Sequence, residues 1–305
     1  CRDVCVALCQ HATGVPFQSR RTDRIAPTGV GNGLMDTEKI QEAVSATEID
    51  APGRWKISAT SVRGSSHEKL DTPCQDAHFW ALQSNDVLLT AVADGAGSAK
   101  QSDVGAKIAS QTAVETLRSE PHLSSRLHGD PEAYRPILMG ALEAAHQAVT
   151  AEARTRTIGI RDLASTLIAV IATPHLIASA QIGDGAAVTC DQTGDLIALT
   201  TPDSGEYINQ TTFLITPGAL DTAQVHIWHG NPSRVAIFSD GLQMLALTMP
   251  FGKPHRPFFS PLFHFISNMK DHSKAEEQLA SFLCSPRVRE RTDDDLTLML
   301  AALTD

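Results

Sequence analysis

Three aspartates stand at the ends of apolar runs and are each followed by glycine: Asp94 in AVADGAG, Asp184 in ASAQIGDGA and Asp240 in RVAIFSDGL. A fourth acidic site, Asp293-Asp294-Asp295, comes just before the apolar run LTLMLAAL, and Asp76 stands just ahead of AHFWAL. Taken singly, an Asp-Gly pair reads as a turn, because both residues tolerate positive φ. Taken together, carboxylates at the ends of buried strands repel one another if those ends converge, and divalent cations resolve that conflict. Hard oxygen ligands suit Mg²⁺ or Mn²⁺. A glycine after each aspartate also lets backbone come close, so that a carbonyl can join the ligands.

The elements that would position these residues are legible as periodicity. Runs such as WKISATSV, DAHFWAL and DVLLTAVAD read as strands. Residues 100–118 carry Val104, Ile108, Ala109, Ala113 and Leu117 on one helical stripe, and 135–153 carry Ile137, Leu138, Ala141, Leu142 and Val149 on another. Strands return as STLIAVIAT, LIASAQIGD, AAVTCDQ, DLIALTT, TTFLIT, AQVHIWH and RVAIFSD. A helical tail over 241–284 and a last strand, DLTLMLAAL, complete the order. Strands, a helix pair, strands, helices and a final strand predict an α+β fold. In FGKPHRPFFSPLFHF, five phenylalanines predict the buried aromatic face of a helix pair, with a docking surface or lid as the alternative.

Residues 1–51 lack sustained periodicity and read as an N-terminal extension, with a short helix from Asp36; the globular domain is expected over 52–305. Cys1, Cys5, Cys9 and His11 match no zinc or cluster spacing and fit one helical face. The 305-residue chain carries a net charge of −10 and no run of five Lys/Arg, which disfavours nucleic-acid binding. Leu163–Ile182 has the length of a membrane span, but Thr173-Pro174-His175 divides it into two strands and a turn. With no signal peptide and sparse cysteines, a cytoplasmic protein with reduced thiols, away from membranes, is expected.

The motifs RGSSHEKLDTPCQDAHFW, AVADGAGSAKQSDVGA, STLIAVIAT with AQIGDGAAV, GEYINQTTFLIT, IFSDGL and TDDDLTLML follow one another in the order found in PPM-type (type 2C) metal-dependent protein phosphatases. The chain resembles the bacterial branch of that family over about residues 55–303. The resemblance implies a four-layer α-β-β-α sandwich, two packed antiparallel sheets flanked by helix pairs. It implies hydrolysis of phosphoserine and phosphothreonine in proteins, opposing a serine/threonine kinase, with a monomer expected. Two Mg²⁺ or Mn²⁺ ions would be held by Asp94 as bridge, the Gly95 carbonyl, Asp240 and Asp294, with Asp76 close by. A water acidified by both ions would attack phosphorus. Consistent with that, no Cys or Ser stands in a recognisable nucleophile motif.

Three positions depart from the pattern. Relatives have a histidine, proposed as general acid, two residues after the bridging aspartate; here it is Ala96. The arginine expected five residues before Asp76 is Asp71, leaving Arg63 or His67 as candidates to hold phosphate. A third metal site would use Asp184, Asp240 and an acid at the position of Met244. These departures leave a second expectation open, a catalytically weak phosphatase-like module that binds phosphoproteins. A small phosphate ester is a third substrate possibility.

Overall fold

A computed structural model describes residues 47–49, 54–84, 86–120, 123, 131–202 and 211–304. Two sheets face each other. The first has the order β1 (Thr47–Ile49), β3 (Ala77–Gln83), β4 (Val87–Ala93), β5 (Leu167–Ala172), β6 (Leu176–Ile182), β9 (Gln224–His229). The second runs β2 (Trp55–Val62), β13 (Leu296–Leu303), β10 (Pro232–Phe238), β7 (Ala186–Asp191), β8 (Leu196–Ala198). Helices α2 (Ser102–Ser119) and α3 (Tyr134–Arg156) cover the first sheet; α5 (Arg256–Ser267) and α6 (His272–Leu283) cover the second. This is the α-β-β-α sandwich expected from the sequence.

The strands read as unbroken apolar runs because both faces are buried. In β4, Leu88 and Val92 pack between the sheets with Trp80, Ile168, Ile237 and Met299. Their neighbours Val87, Leu89, Ala91 and Ala93 meet the helices. In β10, Val235 and Ile237 point to the partner sheet, while Ala236 and Phe238 meet α5 and α6. The period of two thus divides one run between two cores. Small residues let α2 lie close: a Cβ at Gly105 would collide with the Leu163 carbonyl oxygen.

Several expectations need correction. Among the described residues every ladder is antiparallel except β1 with β3, which is parallel; Thr47–Ile49, assigned to the extension, thus adds an edge strand. TTFLIT is a turn, because the Thr216 hydroxyl accepts from Phe213 N (3.2 Å) and Thr216 N donates to Phe213 O (2.9 Å). Such local bonds compete with a strand ladder. DLIALTT contributes only the three residues of β8. The helical tail is interrupted after α4 (Gln243–Ala246) by a hairpin, β11 (Leu247–Thr248) with β12 (Lys253–Pro254). Of the five phenylalanines, Phe258, Phe259 and Phe263 are buried under the second sheet and Phe265 packs partly against it, whereas Phe251 is 75% exposed on that hairpin. A short helix, α1 (Ser65–Leu70), was not anticipated. Cys1, Cys5, Cys9, His11, the helix from Asp36 and all of GEYINQ lie outside the described residues. Among the described residues, no helix is long and apolar enough to cross a membrane.

Candidate functional site

Ladder register brings the acidic residues to one end of the sandwich. In the first sheet Ala77 pairs with Ala93, so Asp76 and Asp94 extend side by side beyond them. In the second, Phe238 pairs with Leu298 and with Ala186, so the residues beyond β10 lie next to the start of β13 and of β7. Asp240 and Asp294 therefore emerge from the second sheet. Asp184 sits in the crossover from β6 to β7.

Each is held by its own backbone setting. Asp94 N donates to Thr166 Oγ1 (3.0 Å), and Thr166 N donates back to Asp94 O (2.8 Å). Gly95 N donates to Gln75 O at 3.1 Å, which ties the Asp94 loop to the Asp76 loop. The glycine is required for that approach, since a Cβ there would stand 2.6 Å from Gln75 O and 2.7 Å from the Ser102 Cβ. Its φ is not positive, so close packing selects it and not unusual backbone conformation. Asp76, 8% exposed, accepts from Ser239 Oγ at 2.6 Å, and Ser239 Oγ accepts from Thr297 N at 3.0 Å. A hydroxyl chain continues inward from Thr297 Oγ1 to Ser61 Oγ (2.7 Å) and to His78 Nδ1 (2.9 Å). Burial pushes the His78 pKa down to about 4, so that imidazole is neutral.

The carboxylates act on one another. Burial, then the charges of Asp76 and Asp240, push the Asp94 carboxyl well above its usual range. Burial, then Asp295, do the same to Asp76, against the opposing hydrogen bond from Ser239. Asp240 is raised to about 6, by burial first and by Asp184 and Asp294 after it. Asp294 is raised mainly by burial, opposed by the bond that Asp295 N donates to Asp294 Oδ1 (2.8 Å). Asp94 and Asp240 lie close enough that the ionisation of each bears on the other. Asp76 Oδ1 and Asp240 Oδ1 are buried and have no hydrogen-bond partner. Among the described residues, no three His, Cys, Asp or Glu side chains are already drawn into one ion's ligand geometry. The acids form an open cluster, with two buried oxygens unmatched.

The remaining candidates are placed as follows. Asp184 Oδ2 accepts from Thr211 Oγ1 at 2.6 Å, and Gln243 Nε2 donates to the Asp184 carbonyl. Met244 is exposed on α4. Arg63 Nη1 donates to Thr72 O (3.1 Å) and lies 3.8 Å from Asp71, its guanidinium partly exposed. His67 turns inward, with Nδ1 2.8 Å from Asp295 Oδ2. Ala96, 7% exposed, packs with Ala99 and Ala164 beneath Phe213 and Ile215. Cys74 is pushed well above the usual thiol range by burial and then by Asp76, so it remains a thiol and not a nucleophile.

Sequence reasoning missed the residues that hold the acids: Thr166, Ser239, Thr297 and Asp295. Asp295 had a signal, since it directly precedes an apolar strand in a run of three aspartates. The hydroxyls carry none, because serine and threonine are as common in turns as in such contacts.

Comparisons with known proteins bear on the family and the fold. The family described as Protein phosphatase 2C matches residues 63–284. Serine/threonine-protein phosphatase 3 of Escherichia coli (strain K12) is 35% identical over 254 residues, covering 81% of this chain and 98% of that protein. Among solved structures, serine/threonine phosphatase Stp1 from Staphylococcus aureus superposes with a TM-score of 0.56 at 14% identity, over 82% of this chain and 95% of that one. The catalytic domain of serine threonine protein phosphatase PstP, in complex with two manganese ions, gives 0.55 at 18% identity over 82% and 99%. Those two likenesses speak to fold; the match along most of the sequence speaks to descent. The chain belongs to the protein phosphatase 2C family.

Proposed function

We propose that the chain hydrolyses phosphoserine and phosphothreonine in proteins with the help of two divalent cations, Mg²⁺ or Mn²⁺, held by the acidic cluster. The observation that carries the reading is the convergence of Asp76, Asp94, Asp240 and Asp294 from two sheets, with two buried carboxylate oxygens unpartnered. A buried charge without a partner is costly, and a cation in the gap removes the cost. An all-oxygen donor set suits hard cations, and Mg²⁺ keeps several waters while taking only one or two carboxylates, which fits an open cluster.

Asp94 would lie between the two ions, with the Gly95 carbonyl beside it; Asp240 and Asp294 would serve one ion, and Asp76 would act close to the other. Bound there, the ions supply an acidified water and neutralise charge on the transferred phosphoryl group. Thr166 fixes the Asp94 backbone, and Ser239 holds Asp76 by one oxygen so that its other oxygen stays available. Arg63, partly exposed, is the better placed of the two phosphate candidates, since His67 faces Asp295. Ala96 offers no proton for the leaving oxygen, which solvent at the open cluster must then supply. Asp184, engaged by Thr211, would take part in a third site only by releasing that hydroxyl. The substrate would be a phosphoprotein made by a serine/threonine kinase, met by a monomer in the cytoplasm.

The test is phosphate release from a phosphothreonine peptide. Release should require Mn²⁺ or Mg²⁺, stop with EDTA, and fall at least about 10²-fold in Asp94→Asn, on the scale of losing a main electrostatic contribution. Turnover indifferent to Asp94→Asn or to chelation would sink the proposal. Peptide binding without turnover would point instead to a phosphoprotein-binding module.

A further inference from the structure

Asp295 is an acid with no part in the proposed ligand set, yet it is the most deeply buried of the group, at 2% exposure. Both its oxygens are occupied. Oδ1 accepts from Gly64 N at 2.6 Å, and Oδ2 accepts from Gln75 N at 2.6 Å. The His67 imidazole stands 2.8 Å from Oδ2, close enough for an ion pair but without a hydrogen bond's alignment. The two donors and the imidazole all belong to the connection from β2 to β3. Gly64 precedes α1, His67 lies within it, and Gln75 is the neighbour of Asp76.

The connection is tied down again close by. Ser66 N and Ser66 Oγ both donate to Asp293 O, at 2.9 and 2.6 Å. Asp76 leads into β3 of the first sheet, and Asp294 leads into β13 of the second. No ladder joins those two strands. One carboxylate therefore spans the seam, gripping the residue next to Asp76 while its own neighbour is Asp294.

We infer that Asp295, braced by His67, is a positioning residue that sets the separation of Asp76 and Asp294 and thereby the affinity for the divalent cation. The inference rests on the metal reading above. Groups that orient metal ligands typically cost 10–100-fold in affinity when altered. Asparagine at 295 keeps the shape but has one acceptor oxygen, so a donor would face either Gly64 N or Gln75 N.

The experiment is calorimetric titration of the full chain with Mn²⁺ alone, with thermal melts of the metal-free protein as the measure of folding. Asp295→Asn should bind Mn²⁺ at least about 10-fold more weakly than the unaltered chain, and its kcat at saturating Mn²⁺ should be lower. His67→Leu keeps both backbone bonds and should shift affinity in the same direction, and His67→Gln, which restores an N–H donor, should recover most of it. A melting temperature that drops while Mn²⁺ affinity stays within twofold would mean that Asp295 only stabilises the fold, and would overturn the inference. Should Asp295→Asn not fold, unchanged affinity in His67→Leu overturns it equally. An unaltered chain that binds no Mn²⁺ is a different result; it overturns the metal reading, and this inference with it.

Discussion

At the scale of single residues, the cluster is a set of charges that the metal-free fold tolerates at a cost. Asp240 shows the sign of that cost. Its folded pKa of about 6 lies above the ordinary aspartate value of 3.8, so the folded state binds the proton more tightly than the unfolded chain. Its contribution to stability is therefore fully present below about pH 4 and is lost as pH rises from about 4 to about 6. Asp94 and Asp76 are shifted in the same direction by burial and by their neighbours. Asp240→Asn removes one charge without changing shape. In EDTA it should melt above the unaltered protein at pH 7 and converge with it towards pH 4. The gap should be about 2–4 °C for each kcal/mol of repulsion relieved. Parallel melting profiles across that pH range would count against a strained cluster. The sequence revealed these carboxylates by their place at strand ends, because a charge directly after a buried run is conspicuous. It could not reveal that Gly95 is needed for packing against Gln75 and Ser102, since the neighbours that forbid a Cβ are distant in sequence.

At the scale of elements, what was legible follows from how local the cause is. The strands β4, β5, β6, β10 and β13 were readable because burial on both faces leaves an unbroken apolar run, and α2 and α3 because their stripes recur at helical spacing. TTFLIT failed as a strand because Thr216 closes a turn on Phe213, a competition that composition does not display. The parallel edge pairing of β1 with β3 is three residues long and leaves no periodicity to read. Helix packing yields a paired prediction. Gly105 on α2 faces the Leu163 carbonyl with no room for a methyl group, while Gly140 on α3 is exposed with open space around it. Gly105→Ala should destabilise by about 1–3 kcal/mol through overpacking. Gly140→Ala should stabilise by roughly 0.5–1 kcal/mol, as alanine does for glycine inside a helix. Urea unfolding of both variants checks the signs. The Leu163 turn leads into Thr166, which holds Asp94, so Gly105→Ala should also slow turnover. Equal stability changes at the two glycines would show that helix propensity outweighs packing at this interface.

At the scale of the molecule, the middle of the sandwich differs from the end that carries the acids. Through its middle the sheets share one apolar core, from Trp80 and Val92 to Ile237 and Met299, which holds them as a unit. At the end that carries the acids, the facing surfaces are carboxylates from both sheets, and the nearest direct links across the seam are the Ser239–Asp76 bond and the grip of Asp295 on Gln75. A cation held there would join the sheets where their own contacts are least favourable, so its binding should stabilise the whole fold and not a local loop. With free Mn²⁺ at about 100 times its dissociation constant, mass action adds about 2.7 kcal/mol. For a domain of this size that is roughly 5–10 °C in melting temperature. Because the core is shared, the melt should stay a single transition that moves as one. A chain with a net charge of −10 also gains from general screening, so K⁺ at matched ionic strength is the control and should give only a small part of the shift. Asp94→Asn, which removes the proposed bridge between the ions, should abolish the Mn²⁺-specific part. A shift of equal size in that variant, or a melt that splits so that only one half responds, would mean that the cation binds somewhere other than the seam.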